Sequence, residues 1–185
     1  MTGRGNLRVK IYADGADREG MLEMYQKPWI QGFTTNPTLM KKAGITDYEV
    51  FARGILEEIP DRSISFEVFA DEFDEMERQA LKIATWGDNV YVKIPVTNTR
   101  QESSVDLVKR LSERGVNVNV TGILDLKQVN CIGDAVRDGT NSIVSVFAGR
   151  IADTGVDPVP LMKEALGLLA SSPRAELLWA SPREV

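Results

Sequence analysis

Val90-Tyr91-Val92-Lys93-Ile94-Pro95-Val96-Thr97 is an apolar, strand-like run with one cation in its middle. Side chains in a strand alternate faces, so Tyr91 and Lys93 share one side while Val92 and Ile94 take the other. An amine with little water around it is disfavoured in its charged form, and a neutral amine attacks carbonyl carbon. The chain contains no histidine. Proton transfer near Lys93 must therefore fall to Asp, Glu, Tyr or lysine itself.

The same parity recurs along the chain. Strand-like runs cover Val9 to Asp14, Gln31 to Thr35, Ser63 to Phe69, Val90 to Val96, Asn117 to Thr121, Ile143 to Phe147 and Glu176 to Ser181. On one face they carry Tyr12 and Asp14, Thr34 and Asn36, Ser65 and Glu67, Tyr91 and Lys93, Asn119 and Thr121, Ser145 and Phe147, Ser181 and Arg183. Their neighbours on the other face are mostly apolar: Ile11, Ala13, Phe66, Val68, Val92, Ile94, Val118 and Val120. One such polar residue alone would be an ordinary satisfied core group. Seven runs with one parity mark a polar interior enclosed by helices, whereas an open doubly wound sheet is apolar on both faces.

Between the runs the period changes to that of a helix. Tyr48, Phe51, Ala52, Ile55, Leu56 and Ile59 form one apolar face, with Thr46 and Glu49 reading as its capping box and Pro60 as its stop. Met76, Ala80, Ile83 and Ala84 give a second helix, and Val105, Val108 and Leu111 a third that stops at Gly115. Asp157 and Pro158 open another. Strand and helix in strict alternation predict a parallel sheet with right-handed crossovers. A dinucleotide-binding sheet would need a glycine-rich turn after its first strand, and Asp14-Gly15-Ala16-Asp17 has one glycine. The expected fold is an α/β parallel barrel in a single domain over residues 1–185, with seven strands countable.

Composition narrows the function. With 185 residues and 43% hydrophobic content the chain suits one core. Its 22 Lys and Arg are scattered among 27 acids for a net charge of -5, which argues against nucleic acid and anionic membrane as partners. No run approaches a membrane span or a signal sequence, so a cytoplasmic protein is expected. Cys131 is alone, there is no histidine, and the acids are dispersed without ligand spacing, so no metal is expected. The acidic run Asp71, Glu72, Asp74, Glu75 and Glu77 reads as solvated charge at a helix start. Lys10 rivals Lys93 by parity but sits at the opposite strand end.

Tyr12-Ala13-Asp14, Thr34-Thr35-Asn36-Pro37, Val92-Lys93-Ile94-Pro95-Val96-Thr97, Asn119-Val120-Thr121, Phe147-Ala148-Gly149-Arg150-Ile151 and Trp179-Ala180-Ser181-Pro182-Arg183 occur in this order. In these segments the chain resembles the transaldolases and their shorter relatives, the fructose 6-phosphate aldolases. The resemblance implies an α/β (β/α)8 TIM barrel, with the C-terminal βα unit missing from this chain, whose Lys93 forms a Schiff base, needs no cofactor, and moves a dihydroxyacetone unit from a ketose phosphate to an aldose phosphate. It implies that Asp14 exchanges the proton of the C4 hydroxyl. Glu67 would act through a water that Thr121 helps to hold. Asn36 and Asn119 would bind substrate hydroxyls with Thr34 and Ser145 in support, and Arg150, Ser181 and Arg183 would hold phosphate. Phe147 and Glu67 match the transferase branch, since the resembling aldolases have tyrosine and glutamine there. It also implies sugar phosphates as partners and a homo-oligomer, a pentamer or decamer. An aldolase releasing free dihydroxyacetone and a non-catalytic sugar-phosphate-binding relative stay open as alternatives.

Overall fold

A computed structural model describes residues 8–182. Its seven strands are β1 (Ile11–Asp14), β2 (Ile30–Thr34), β3 (Ser63–Glu67), β4 (Val90–Pro95), β5 (Val118–Ile123), β6 (Ser142–Val146) and β7 (Ala175–Trp179). The helices are α1 (Arg18–Tyr25), α2 (Pro37–Lys42), α3 (Tyr48–Glu58), α4 (Phe73–Ala84), α5 (Val105–Glu113), α6 (Leu126–Val136), α7 (Ala148–Asp153) and α8 (Pro158–Leu168). The strands lie in sequence order, and every pairing is parallel. Short strands can follow one another in this order only through crossovers, which the intervening helices supply. Among the described residues no helix is long and apolar enough to cross a membrane.

The sheet is curled. If it were flat, β1 and β7 would lie six strand spacings apart, roughly 29 Å. Yet the Lys10 ammonium, just before β1, pairs with the Glu176 carboxylate of β7. Two such side chains together reach roughly 12 Å from Cα to Cα, close to the two spacings that separate the first and seventh strands of an eight-stranded barrel. The described strands are thus seven of a (β/α)8 barrel.

The alternation of the strands decides what each face meets. Phe66, Val92, Ile94, Val118 and Val120 are fully buried between sheet and helices, where each contributes about 1.5–3 kcal/mol by leaving water. Helix faces complete this layer through Ala52, Ile55, Ala80, Val108, Leu111, Val129 and Ile132. Gly32 points the other way, and a Cβ there would lie 2.4 Å from the Tyr12 ring. Only glycine lets Tyr12 lie across β2. Gly122, at φ 81, sits where the β5 register slips against β6 between Val120 and Ile123, a kink that suits a residue without Cβ.

Two local expectations are corrected. The N-cap of α3 is Asp47, whose carboxylate accepts from the Val50 N–H at 3.0 Å. The frame is one residue later than a Thr46–Glu49 box because Asp caps as well as Thr, and Glu49 instead pairs with Arg53 and Lys82. On β7 the interior residues are Glu176 and Leu178, in register with Ile143 and Ser145 of β6. Ser181 therefore falls on the other parity. It follows the strand at φ 53, where alternation no longer sets direction.

Candidate active site

Strand register assembles the site. Glu67 of β3, Lys93 of β4 and Asn119 of β5 are successive register partners, so three polar side chains stand abreast on the interior face at the C-terminal end. Barrel enzymes carry their chemistry at that end. The Lys93 Nζ lies 3.3 Å from Glu67 Oε2 and donates to the Thr35 carbonyl at 3.1 Å. Both side chains are mostly enclosed, with 12% and 19% of their surface exposed. Burial pushes the Glu67 carboxyl above its ordinary value, the Lys93 ammonium pulls it down, and the Asp14 charge adds to the rise. A carboxyl moved toward neutrality beside an amine is suited to giving and taking protons near working pH.

Asp14 ends β1 and is exposed; its Oδ1 accepts from the Thr34 hydroxyl at 2.7 Å. Asp14 of β1 stands two strands from Glu67 of β3, and its charge is felt at the Glu67 carboxyl. Deeper in the interior, Asn119 Nδ2 donates to Ser65 Oγ at 2.9 Å, and Ser145 Oγ donates to Asn119 Oδ1 at 2.7 Å. This buried chain links β3, β5 and β6 and pins Asn119 in one rotamer. Thr121 is 4% exposed, and its Oγ1 has no hydrogen-bond partner among the described residues.

The remaining expected residues are less closely gathered. Asn36 caps α2, its Oδ1 accepting from the Leu39 N–H at 3.0 Å. Its oxygen is thus committed to the backbone and its amide N–H groups are the part left for a ligand. Phe147 precedes α7, and the exposed Arg150 guanidinium stands 5.9 Å from its ring centroid. Ser181 is described in the turn after β7, whereas Arg183 lies outside the described residues. Thr35 enters through its backbone carbonyl, a group that side-chain parity does not reveal. Tyr48, which reads in the sequence as part of an apolar helix face, donates its hydroxyl to the Glu67 carbonyl at 2.9 Å.

The rival features resolve elsewhere. Lys10 is half exposed and bound to Glu176 at the other end of the barrel. In the acidic run, Glu72 binds Arg100, Glu75 binds Arg78, Glu77 binds Arg110 and Arg114, and Asp71 accepts from Thr99. These partners hold the four carboxyls below their ordinary values. A cleft of about 500 Å³ lies outside the sheet, lined by Ala13, Met21, Phe33 and Leu39, with Asp14 at its wall. Lys93 and Glu67 take no part in it.

Residues 11–185 match the family model described as transaldolase/fructose-6-phosphate aldolase. The chain belongs to that family. A probable transaldolase from Dehalococcoides mccartyi is 32% identical over 86% of this chain and 70% of its own. Another, from Streptococcus equi subsp. zooepidemicus, is 33% identical over 95% of this chain and 78% of its own. A third, from Bdellovibrio bacteriovorus, is 31% identical over 95% and 77%. Among solved structures, dihydrodipicolinate synthase from Rhodopseudomonas palustris superposes with a TM-score of 0.54 at 15% identity. That match covers 91% of this chain and 62% of the synthase chain, and it bears on the fold alone. Membership in this aldolase-type enzyme family agrees with the barrel architecture of the described strands.

Proposed function

We propose that the chain carries a transaldolase-type transfer of a dihydroxyacetone unit, with Lys93 as the Schiff-base nucleophile. The observation that carries this reading is the enclosed amine 3.3 Å from a carboxyl that burial holds toward its neutral form. In this reaction the neutral Lys93 attacks the ketone carbon of a ketose phosphate. Glu67 passes a proton to the carbinolamine oxygen, water leaves, and an iminium remains. Asp14 takes the proton of the C4 hydroxyl as the C3–C4 bond breaks, and the bonding electrons flow into the iminium to give an enamine. The aldehyde departs. An aldose phosphate then enters, the enamine carbon adds to its carbonyl, and Asp14 returns the proton to the new alkoxide. Water addition and loss of Lys93 release the product ketose.

The other residues take supporting parts in this proposal. Asn119, fixed by Ser65 and Ser145, offers an oriented amide to a substrate hydroxyl, and Asn36 offers its amide N–H groups. Thr34 holds the Asp14 carboxylate, and Thr121 supports the water that Glu67 works through. Arg150, Ser181 and Arg183 would bind the phosphate, whose remote binding energy can be spent on orientation at the reacting carbon. Sugar phosphates are the partners in this reading; oligomeric assembly, a cytoplasmic setting and a place in pentose phosphate metabolism belong to the same proposal. Phe147 and Glu67 favour transfer over simple cleavage.

Borohydride added with fructose 6-phosphate tests the reading. Lys93 is expected to be modified by the reduced dihydroxyacetone adduct in peptide mass spectrometry, and Lys93→Met should remove that label. An unmodified Lys93 at saturating ketose phosphate sinks the proposal. Turnover that needs an added aldose phosphate marks a transferase; release of free dihydroxyacetone at the same rate without it marks an aldolase.

A further inference from the structure

Tyr48 opens α3 on the outer side of the sheet, and its ring meets Phe66, Phe69 and Trp86 edge-on at 6.0, 4.8 and 5.1 Å. Phenylalanine would serve that packing equally well, so the hydroxyl calls for a cause of its own. The hydroxyl donates to the Glu67 carbonyl at 2.9 Å, while the nearby Thr35 hydroxyl donates to the Ser65 carbonyl at 2.8 Å.

That carbonyl needs a donor because of the residue that faces it across the sheet. Where β2 runs beside β3, the Thr35 N–H donates to the Ser65 carbonyl at 3.1 Å. A parallel ladder advances two residues per rung, so the next rung sets the nitrogen of residue 37 against the carbonyl of Glu67. Residue 37 is proline and has no N–H to give. Asn36-Pro37 also turns the chain into α2, with Asn36 as its cap. The carbonyl of the acid beside Lys93 thereby loses its strand partner, and a phenol from outside the barrel replaces it. Burial drives the Tyr48 hydroxyl far above the usual tyrosine value, so it remains a donor throughout the working pH range.

We propose that Tyr48 is a positioning residue: its hydroxyl fixes the Glu67 carbonyl at the end of β3 and so holds the Glu67 carboxylate that pairs with Lys93. The claim rests on the Schiff-base reading only for its effect on turnover; the effect on Lys93 itself is independent of it.

Tyr48→Phe keeps the ring and removes the donor. Competitive labelling with acetic anhydride, read at the Lys93 peptide across neutral to alkaline pH, measures the amine without any sugar. A loosened Glu67 carboxylate stabilises the ammonium less, so the labelling midpoint should move to lower pH by about half a unit or more. In turnover, kcat should fall roughly tenfold with KM within about twofold, the signature of a misplaced reacting group. A labelling profile and kcat equal to the wild type, with only a lowered melting temperature, would overturn the proposal. Should Tyr48→Phe fail to fold, the wild-type hydroxyl is read by NMR instead; a Tyr48 phenol proton protected from exchange with solvent supports the proposal and a freely exchanging one overturns it. Borohydride trapping of the wild type separates the two claims. A midpoint shift without wild-type trapping sinks the Schiff-base reading and leaves Tyr48 its role, whereas trapping without a shift sinks only the positioning.

Discussion

Thr121→Val separates a functional hydroxyl from a structural one. The Thr121 hydroxyl is enclosed and has no hydrogen-bond partner among the described residues; a buried hydroxyl costs about 1–3 kcal/mol when nothing pairs it and little when a water does. Valine has the same branched shape, keeps the strand conformation and replaces the hydroxyl with a methyl group that gains about 0.8 kcal/mol on burial. Stability should therefore hold or rise by about 1 kcal/mol, which is roughly 2–4 °C in Tm for a domain of this size. Turnover should move the opposite way. If the hydroxyl supports the water used by Glu67, kcat should fall about 10- to 100-fold, while Thr121→Ser, which keeps the oxygen, should retain most of the rate. Differential scanning calorimetry and steady-state kinetics on the three proteins decide the matter. A Tm lowered by more than about 2 °C would mean that the hydroxyl has a structural partner, and an unchanged kcat would remove Thr121 from the mechanism.

Glu67 has a folded-state pKa above its ordinary 4.5, so between those two values the folded chain holds a proton that the unfolded chain has released. Wild-type stability should decline as pH rises through that window, and Glu67→Gln should flatten the decline; urea midpoints at several pH values would show it, and an equal slope in both proteins would contradict the assigned burial. Asn119→Leu strips the Ser65 and Ser145 hydroxyls of their shared partner and should lower stability by about 2–4 kcal/mol. A loss below about 0.5 kcal/mol in chemical denaturation would show that the chain is not a structural link. Lys10→Ala removes an exposed ion pair at the far end of the barrel; borohydride labelling of Lys93 should be unchanged and the stability cost under about 1 kcal/mol. Labelling that disappears with Lys10 would exchange the roles of the two lysines.

Several features were readable because they depend on local chemistry. The alternation through Tyr91-Val92-Lys93-Ile94 places lysine inside and aliphatics outside whatever the rest of the fold does, and the burial of Val92 and Ile94 follows from it. Pro158 after Asp157 starts α8 by the same kind of local rule. Other features needed neighbours that sequence spacing does not supply. Thr46–Glu49 and Asp47–Val50 are equally good caps on spacing, and the competition of Lys82 and Arg53 for Glu49 helps decide between them. Ser181 shares its parity with Leu177 and Trp179, whereas the β6–β7 register turns Glu176 and Leu178 inward.

The sequence by itself determined a parallel barrel with one amine and two acids toward the C-terminal end of its inner face, because a period of two separates faces irrespective of strand partners. Only the tertiary structure decided which groups touch that amine. Register set Glu67 and Asn119 on either side of Lys93, and the turn at Asn36-Pro37 brought the Thr35 carbonyl to its nitrogen. A phenol from an outer helix then filled the rung that proline left empty. Those contacts join residues far apart in the chain, and their distances follow from sheet curvature and helix packing, which no single segment encodes.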